Sequence, residues 1–174
     1  IDQLAREGMT FTHAYTATAM CSPTRQQLYT GLFPARSGAM ANHSSVKPGT
    51  RSMVHHLSEL GYEVSLSGKE HFGPPESFPF ERKQGLSIPS GPEPFCLVHA
   101  SKKPHDGWPD ARGYDPSALT VLPYLVDNLE TRRSLSRYFT EITELDEEVK
   151  TLLSDLQAKG KAENTVVIFT SEQG

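Results

Sequence analysis

The strongest hydrophobic pattern in the chain lies between residues 131 and 159, where apolar side chains recur every three or four positions. This spacing places them on one face of an α-helix, and Gly160 marks the end of the pattern. The members of the stripe are Leu135, Tyr138, Phe139, Ile142, Leu145, Val149, Leu152, Leu153 and Leu156. The pattern predicts one long helix that packs against a core.

Shorter patterns predict helices and strands that alternate along the rest of the chain. Short helices that each end near a glycine are predicted at residues 1–7, 23–29 and 52–60. Strands, indicated by apolar runs or by alternation, are predicted at residues 9–16, 62–67, 95–100 and 166–169. Regions rich in Pro and Gly, predicted as loops, are residues 32–50, 73–94 and 102–123. The alternation predicts an α/β fold in which helices flank a layered, mostly parallel sheet.

Both ends of the chain indicate that it is part of a longer protein. The first residue is Ile1 rather than Met, and the chain begins inside a predicted helix. It stops shortly after the predicted strand at 166–169, whose neighbours in a sheet would then be missing. We therefore expect residues 1–174 to form one partial domain that is truncated at both ends.

Composition narrows the class of protein without assigning a chemistry. The chain has 17 Lys and Arg against 21 Asp and Glu, a formal net charge of −4, which argues against nucleic-acid binding. Apolar residues make up 36% of the chain, and no apolar run approaches the roughly 20 residues that span a bilayer. Two cysteines are too few for a disulfide framework or a four-thiolate zinc site. We expect a soluble α/β globule with neither a membrane span nor a nucleic-acid partner.

The segment Cys21-Ser22-Pro23-Thr24-Arg25 places a thiol at the start of a predicted helix. At such a position, unpaired backbone N–H groups and the helix dipole favour an anion. Arg25 lies one turn beyond Cys21 and can stabilise negative charge that develops on a nucleophile. The alternative is a buried structural thiol, because free Cys is among the most buried residue types.

Three further polar segments each follow a predicted strand. Their residues are Lys69 with His71, then His105 with Lys103 beside it as a weaker candidate, and finally Glu172 with Gln173. The spacing of Lys69 and His71 points both side chains to one face of an extended chain. Taken alone, each segment is more typical of a solvated loop or an ordinary polar turn.

Taken together, these segments resemble the sulfatase family in motif and in order. The sequence C-S-P-T-R, with Thr30-Gly31 at the end of the helix, resembles the C-x-P-x-R signature. G-K-E-H-F-G at 68–73 is similar to G-K-x-H-x-G, and P-H-D-G-W at 104–108 is similar to P-H-x-P-[WF], with Gly107 where proline is usual. S-E-Q-G at 171–174 resembles S-D-[NH]-G. The resemblance covers nearly the whole chain and implies an alkaline-phosphatase-like fold.

The resemblance implies an arylsulfatase-like hydrolase of sulfuric esters. In it, a formylglycine-generating enzyme would oxidise Cys21 to formylglycine, whose hydrate is the nucleophile. Arg25 and Lys69 would stabilise negative charge, and His105 would protonate the departing alcohol. His71 would take a proton from the second hydroxyl of the hydrate. Because a thiol has no second hydroxyl, we expect activity to require the modification.

The resemblance also implies a divalent cation, Ca²⁺, held by residue Cys21 together with Glu172 and Gln173. Here Glu172 stands for Asp and Gln173 for Asn or His, so the oxygen chemistry is kept while the reach of the side chains changes. The family's paired aspartates, a further sulfate-binding lysine and the C-terminal subdomain would lie outside this chain. We therefore expect the isolated chain to bind Ca²⁺ poorly and to be inactive.

Two other functions stay open at this point. A phosphonate or phosphodiester hydrolase of the same superfamily would use the same nucleophile on phosphorus. A pseudoenzyme or a non-catalytic fragment would use none. The resemblance implies a sulfated small molecule or carbohydrate as substrate, with O-sulfate and N-sulfate both open, and a periplasmic, extracellular or lysosomal location.

Overall fold

The computed structural model describes residues 1–173. The helices are α1 (Asp2–Glu7), α2 (Cys21–Thr30), α3 (Pro34–Ser37), α4 (Met53–Glu59) and α5 (Leu129–Ala158). The strands are β1 (Glu63–Gly68), β2 (Glu81–Arg82) and β3 (Phe95–Ala100). Short 3₁₀ turns lie at Pro75–Ser77, Pro116–Ala118 and Ala162–Asn164. These elements confirm the mixed α/β fold, although α3 lies in a region predicted as loop and α2 begins at Cys21 rather than at Pro23.

The strands form a parallel sheet in the order β2-β1-β3. Strand β1 is paired with β3 along its whole length, from Glu63 opposite Phe95 to Gly68 opposite Ala100. Because the strands are parallel, the segments that follow β1 and β3 leave the sheet at the same edge. This edge carries the loops that hold Lys69, His71 and His105.

The core lies between α2, α4 and the central strand β1. Its densest part is aromatic, with Tyr29 packed against Phe72, Phe78 and Phe80 at ring-centroid distances of 5.6, 6.3 and 5.2 Å. Phe78 is completely buried, and Leu66 of β1 is 1% exposed. The rings meet edge to face, the arrangement that their quadrupoles favour. The cluster anchors α2 to the core through Tyr29, whereas Leu28 of the same helix is exposed.

Helix α5 confirms the long predicted helix, with its apolar stripe mostly half-buried rather than fully enclosed. Asn128 caps its start, since its side-chain oxygen accepts a hydrogen bond from the backbone N–H of Thr131 at 2.9 Å. Near its other end, Asp155 accepts the backbone N–H of Ile88 at 2.7 Å. In between, Glu148 bonds to His99 of β3. These contacts fasten α5 to the sheet and to the loop before β3.

Two predicted strands are wrong: residues 9–16 and 166–169 are irregular and largely exposed. Tyr15 is 89% exposed, and Val166 and Ile168 are 87% and 82% exposed. A strand is stabilised by a neighbour that accepts its backbone hydrogen bonds, and neither segment has such a partner within residues 1–173.

None of the helices within residues 1–173 is long and apolar enough to cross a membrane.

Candidate active site

Cys21 is the first residue of α2, and Met20 before it is extended and makes no side-chain cap. Pro23 has no N–H, so the backbone N–H groups without an intrahelical acceptor in the first turn are those of Cys21 and Ser22, beside the thiol. The Cys21 sulfur is partly buried and lies 3.4 Å from Nε2 of Gln173. The structure thus brings together the thiol at the helix start and the segment that the sequence places last, 152 residues away along the chain.

A charged cluster lies one turn along α2, where Arg25 is only 7% exposed. Its Nε is 2.5 Å from Oε2 of Glu172, an ion pair whose N–H and oxygen are not aligned as a hydrogen bond. Nζ of Lys69 lies 3.9 Å from the other oxygen of Glu172. Arg25 also donates from Nη1 to the carbonyl oxygen of Lys69 at 2.9 Å. The cluster therefore gathers Arg25, Lys69 and Glu172 beside the start of α2.

Gly68 explains why Lys69 can turn toward α2 at this point. It has φ +91°, and a Cβ there would lie 2.2 Å from the carbonyl oxygen of Ala100. The same carbonyl accepts the backbone N–H of Lys69 at 2.7 Å. Only glycine fits this close approach between the ends of β1 and β3. The turn directs the following residues over the edge of the sheet.

His71 lies beside the same cluster and is half-buried. Its Nε2 is 2.8 Å from Nδ1 of His43, and its Nδ1 is buried without a hydrogen-bond partner among the described residues. Burial lowers the pKa of His71, and the charges of His43, Lys69 and Arg25 lower it further, against the opposing effect of Glu172. The imidazole is therefore held toward its neutral form.

His105 leaves β3 at the same edge of the sheet but is not joined to this cluster. Its side chain is 57% exposed and pairs with Asp106. Its loop is held by Trp108, whose indole N–H donates to the carbonyl oxygen of Pro104 at 3.0 Å and whose ring packs on Tyr138. Within residues 1–173 no hydrogen bond or ion pair connects His105 to Cys21. The role expected for His105 stays a prediction.

Lys103, the weaker candidate, turns away toward α5. Its Nζ lies 2.9 Å from Glu144 and 3.2 Å from Glu148. These carboxylates raise its pKa, mainly because Lys103 donates a hydrogen bond to Glu144. Lys103 is therefore engaged in an ion-pair network on the helix.

Two residues that contribute to this region could not be predicted from the sequence. His43 lies in a stretch predicted only as loop, and Gln26 is one of several polar residues in α2. Gln26 is completely buried; its Nε2 donates to the Ser44 carbonyl oxygen at 2.8 Å, and its Oε1 accepts from Val46 N at 3.0 Å. It holds the loop of His43 against α2. Such a contact follows from tertiary packing, which a single sequence does not display.

The residues described do not make a complete site for Ca²⁺. Glu172 and Gln173 offer oxygens, and Oε1 of Gln173 is buried without a hydrogen-bond partner in residues 1–173. However, Ca²⁺ takes about six to eight oxygen ligands. No group of three or more His, Cys, Asp or Glu side chains suited to a metal occurs in this range. Glu172 is instead engaged by Arg25 and Lys69.

Comparisons with known proteins agree on one family. The family profile described as "Sulfatase" matches residues 1–91 and 81–174. An ulvan-active sulfatase of Formosa agariphila is 30% identical over 196 aligned residues, which cover all of this chain and 39% of that protein. The human N-sulphoglucosamine sulphohydrolase is 28% identical over 229 residues, which cover all of this chain and 45% of that protein. The chain thus spans less than half the length of these relatives.

Solved structures show the same fold. A structure from work on glycosaminoglycan metabolism by Bacteroides thetaiotaomicron superposes with a TM-score of 0.72 at 19% identity, covering 92% of this chain and 50% of that one. A 2-O GAG sulfatase superposes with a TM-score of 0.69 at 18% identity, covering 94% of this chain and 50% of that one. Both likenesses extend over nearly all of the chain, as the motifs do.

Proposed function

Because the chain belongs to the sulfatase family, we propose that the enzyme of which it forms a part hydrolyses sulfate esters, with residue 21 as the nucleophile. One observation carries this proposal. Cys21 at the start of α2 shares one region with Arg25, Lys69, Glu172 and Gln173, although these residues come from three separate segments.

The electrostatics of this region suit an anionic ester. Arg25 and Lys69 bring two positive charges against the one carboxylate of Glu172, and the free N–H groups of α2 add to the positive potential. A sulfate ester carries one negative charge on oxygens that accept several hydrogen bonds. Lys69 would bind such an oxygen. Arg25 would stabilise charge at residue 21.

Two groups that are general in the sulfatase family, a formylglycine and a divalent cation, are also proposed for this protein. The formylglycine made from Cys21 would supply, as its hydrate, a hydroxyl nucleophile in place of the thiol. A divalent cation, for which Ca²⁺ is proposed, would take Glu172 and Gln173 as two of its ligands. The remaining ligands would come from outside the described residues.

Proton transfer is assigned to two histidines. His105 would protonate the departing alcohol, for which its exposed loop must close toward Cys21. His71, beside Lys69, would take a proton from the second hydroxyl of the formylglycine hydrate. The sulfated substrate is proposed to be a carbohydrate, because the relatives include an ulvan-active sulfatase and a sulphohydrolase of N-sulphoglucosamine. A formylglycine-generating enzyme as partner and an exported or lysosomal location complete the proposal.

The test uses the complete enzyme and an aryl sulfate, with Cys21→Ala and the matched variant Cys96→Ala on β3. Cys21→Ala should lower kcat at least about 10³-fold, as loss of a nucleophile does. Cys96→Ala should leave kcat within a few-fold, since burial raises the pKa of that thiol and keeps it protonated.

Three results would overturn parts of the proposal. Faster hydrolysis of an aryl phosphonate than of the aryl sulfate would assign the enzyme to phosphorus chemistry. Mass spectrometry that found only intact Cys21 in the active enzyme would remove the formylglycine mechanism. Equal losses in Cys21→Ala and Cys96→Ala would mean that Cys21 is structural.

A further inference from the structure

A pair of adjacent histidines, His43 and His71, lies beside Lys69. Their rings lie 4.6 Å apart between centroids, with 2.8 Å between Nε2 of His71 and Nδ1 of His43. Both residues have positive φ, 63° for His43 and 57° for His71, and no other non-glycine residue in positions 1–173 does. Left-handed backbone is costly for a residue with a Cβ and persists where the surrounding structure imposes it.

Buried Gln26 supplies that constraint for both loops. Its Nε2 donates to the carbonyl oxygen of Ser44, the residue after His43, at 2.8 Å. Its Oε1 accepts the backbone N–H of Val46 at 3.0 Å and that of Gly73 at 3.4 Å. Val46 also donates its N–H to the carbonyl oxygen of Gly73 at 2.9 Å. One side chain of α2 therefore fixes the two segments that bring the imidazoles together.

The hydrogen bonds favour one position of the proton on each ring. With the Asn42 amide as it is placed, Nδ2 lies 3.3 Å from Nε2 of His43, and because an amide nitrogen only donates, this placement makes Nε2 an acceptor. Neutral His43 then carries its proton on Nδ1 and donates it to Nε2 of His71. Neutral His71 must in turn carry its proton on Nδ1. This Nδ1 is one of the buried side-chain atoms that have no hydrogen-bond partner within the described chain.

We propose that His43 is a positioning residue for the sulfatase chemistry proposed above, on which this inference rests. It holds His71 in the neutral tautomer with the proton on Nδ1, so that His71 offers a buried N–H to the bound sulfate group. An N–H that has already lost its water is a strong donor to an anion, and Arg25 and Lys69 beside it favour the same ligand.

The charged and titratable groups around His71 favour its neutral form. His43 approaches from the loop after α3, Arg25 from α2, Lys69 from its own segment, and Glu172 from the end of the described chain. Burial and the positive neighbours together lower the pKa of His71. A neutral ring has a single N–H to place, so its tautomer decides what it offers to a ligand.

This tautomer adds a condition to the expected role of His71 as a base. Its lone pair lies on Nε2 and faces Nδ1 of His43. To accept a proton at Nδ1, His71 must first release the proton already there into the site and gain one at Nε2 from Nδ1 of His43. His43 then regains a proton at its exposed Nε2 from water, so that every proton is accounted for.

The first test reads the tautomer directly and needs no turnover. In ¹H–¹⁵N correlation spectra of the protein with labelled histidine, His71 should have a protonated Nδ1 and an unprotonated Nε2, with His71→Ala assigning the signals. His43→Glu offers a carboxylate that only accepts, and should move the proton of His71 to Nε2. His56→Ala, at an exposed position of α4, should change nothing. A proton on Nε2 in the native protein, or no change in His43→Glu, would overturn the proposal.

The second test is a double-mutant cycle on aryl sulfate hydrolysis by the complete enzyme. His43→Ala should lower kcat/KM about 10- to 100-fold, the range for partners that orient a functional imidazole. His43→Gln, whose amide can donate to His71, should recover most of that loss. In a His71→Ala background, His43→Ala should cost nothing further. An equal loss in both backgrounds would show that His43 acts independently of His71.

The two tests separate this inference from the function itself. If no sulfate ester is hydrolysed by the native enzyme, the proposed function fails, whereas the spectra still decide the tautomer. If sulfate esters are hydrolysed but the spectra show Nε2 protonated, the function stands and the role of His43 is wrong.

Discussion

Two apolar parts of this chain differ sharply in what surrounds them. The aromatic cluster of Tyr29, Phe72, Phe78 and Phe80 is packed between α2 and the sheet, with Phe78 fully buried. The segment 166–169 is just as apolar in sequence, yet Phe169 is 46% exposed and Ile168 is 82% exposed. Hydrophobic character alone therefore does not specify a core. A segment is buried only where another element covers it.

The residues of the candidate site differ in the same way, because some lie on well-packed elements and one lies on an exposed loop. Cys21, Arg25 and Lys69 stand on elements anchored by the aromatic cluster, and these residues lie within a few ångströms of their partners. His105 stands on a loop with an exposed side chain and pairs with its neighbour in sequence, Asp106. Arg25 and Lys69 already form a charged cluster with Glu172, whereas the catalytic role proposed for His105 would require its loop to move.

Replacement of matched phenylalanines should give the largest difference between the two apolar regions. Phe78→Ala removes a fully buried ring and should lower the free energy of unfolding by about 3–5 kcal/mol. Phe169→Ala removes a ring that is already half in water and should cost no more than about 0.5 kcal/mol. Urea denaturation followed by fluorescence of Trp108 measures the change in unfolding free energy for each variant.

Equal losses of unfolding free energy in Phe78→Ala and Phe169→Ala would contradict the comparison between the two apolar regions. They would mean that residues 166–169 pack against other apolar groups in solution, in this chain or between two copies. Repeating Phe169→Ala at several protein concentrations separates these cases, because only association between copies makes the cost depend on concentration.

The same contrast explains what could be predicted from the sequence. The stripe on α5 and the apolar run of β3 have enough local signal to define an element, and both are confirmed. The run at 166–169 carries an equally strong strand signal, but strand formation depends on a neighbour that local sequence does not reveal. The prediction of a strand at 9–16 fails for the same reason.

In the candidate site, sequence motifs predicted which residues take part, whereas tertiary packing determines which residues they contact. Cys21, Lys69 and Glu172 occur in recognisable short motifs, so their convergence could be expected from the resemblance. The pairing of His43 with His71 depends on two left-handed backbone positions and on buried Gln26. None of these has a sequence signature, because histidine and glutamine are ordinary residues in loops and helices.

Loss of Gln26 should have the next largest effect. Gln26→Leu keeps the volume but leaves the backbone N–H groups of Val46 and Gly73 without this acceptor, and should cost about 1–3 kcal/mol of unfolding free energy. Gln157→Leu, at an exposed position of α5, should stay within about 0.5 kcal/mol. If both variants unfold at the same urea concentration, Gln26 does not hold the loop of His43 in solution.

The smallest expected effect concerns Glu148, which joins α5 to the anchored sheet. Its Oε2 lies 3.0 Å from Nε2 of His99 on β3, and its Oε1 lies 3.2 Å from Nζ of Lys103. Burial raises the pKa of Glu148, but hydrogen bonds from His99, Ser101 and Lys103 outweigh it and leave the pKa below the ordinary 4.5. The folded state therefore binds the proton less tightly than the unfolded state does.

The sign of the pH dependence follows from this lowered pKa. The stabilisation by Glu148 is complete above about pH 4.5 and is lost as the pH falls through the lower pKa of the folded state. Glu148→Gln should therefore lower the free energy of unfolding by no more than about 1 kcal/mol at pH 7, since the pair is partly solvated. The difference from the native protein should shrink toward pH 3. Glu163→Gln, at an exposed carboxylate that makes no ion pair in residues 1–173, should follow the native pH profile throughout. A difference for Glu148→Gln that grows in acid would show that its carboxyl is protonated more readily in the folded state, and that burial outweighs the contacts to β3.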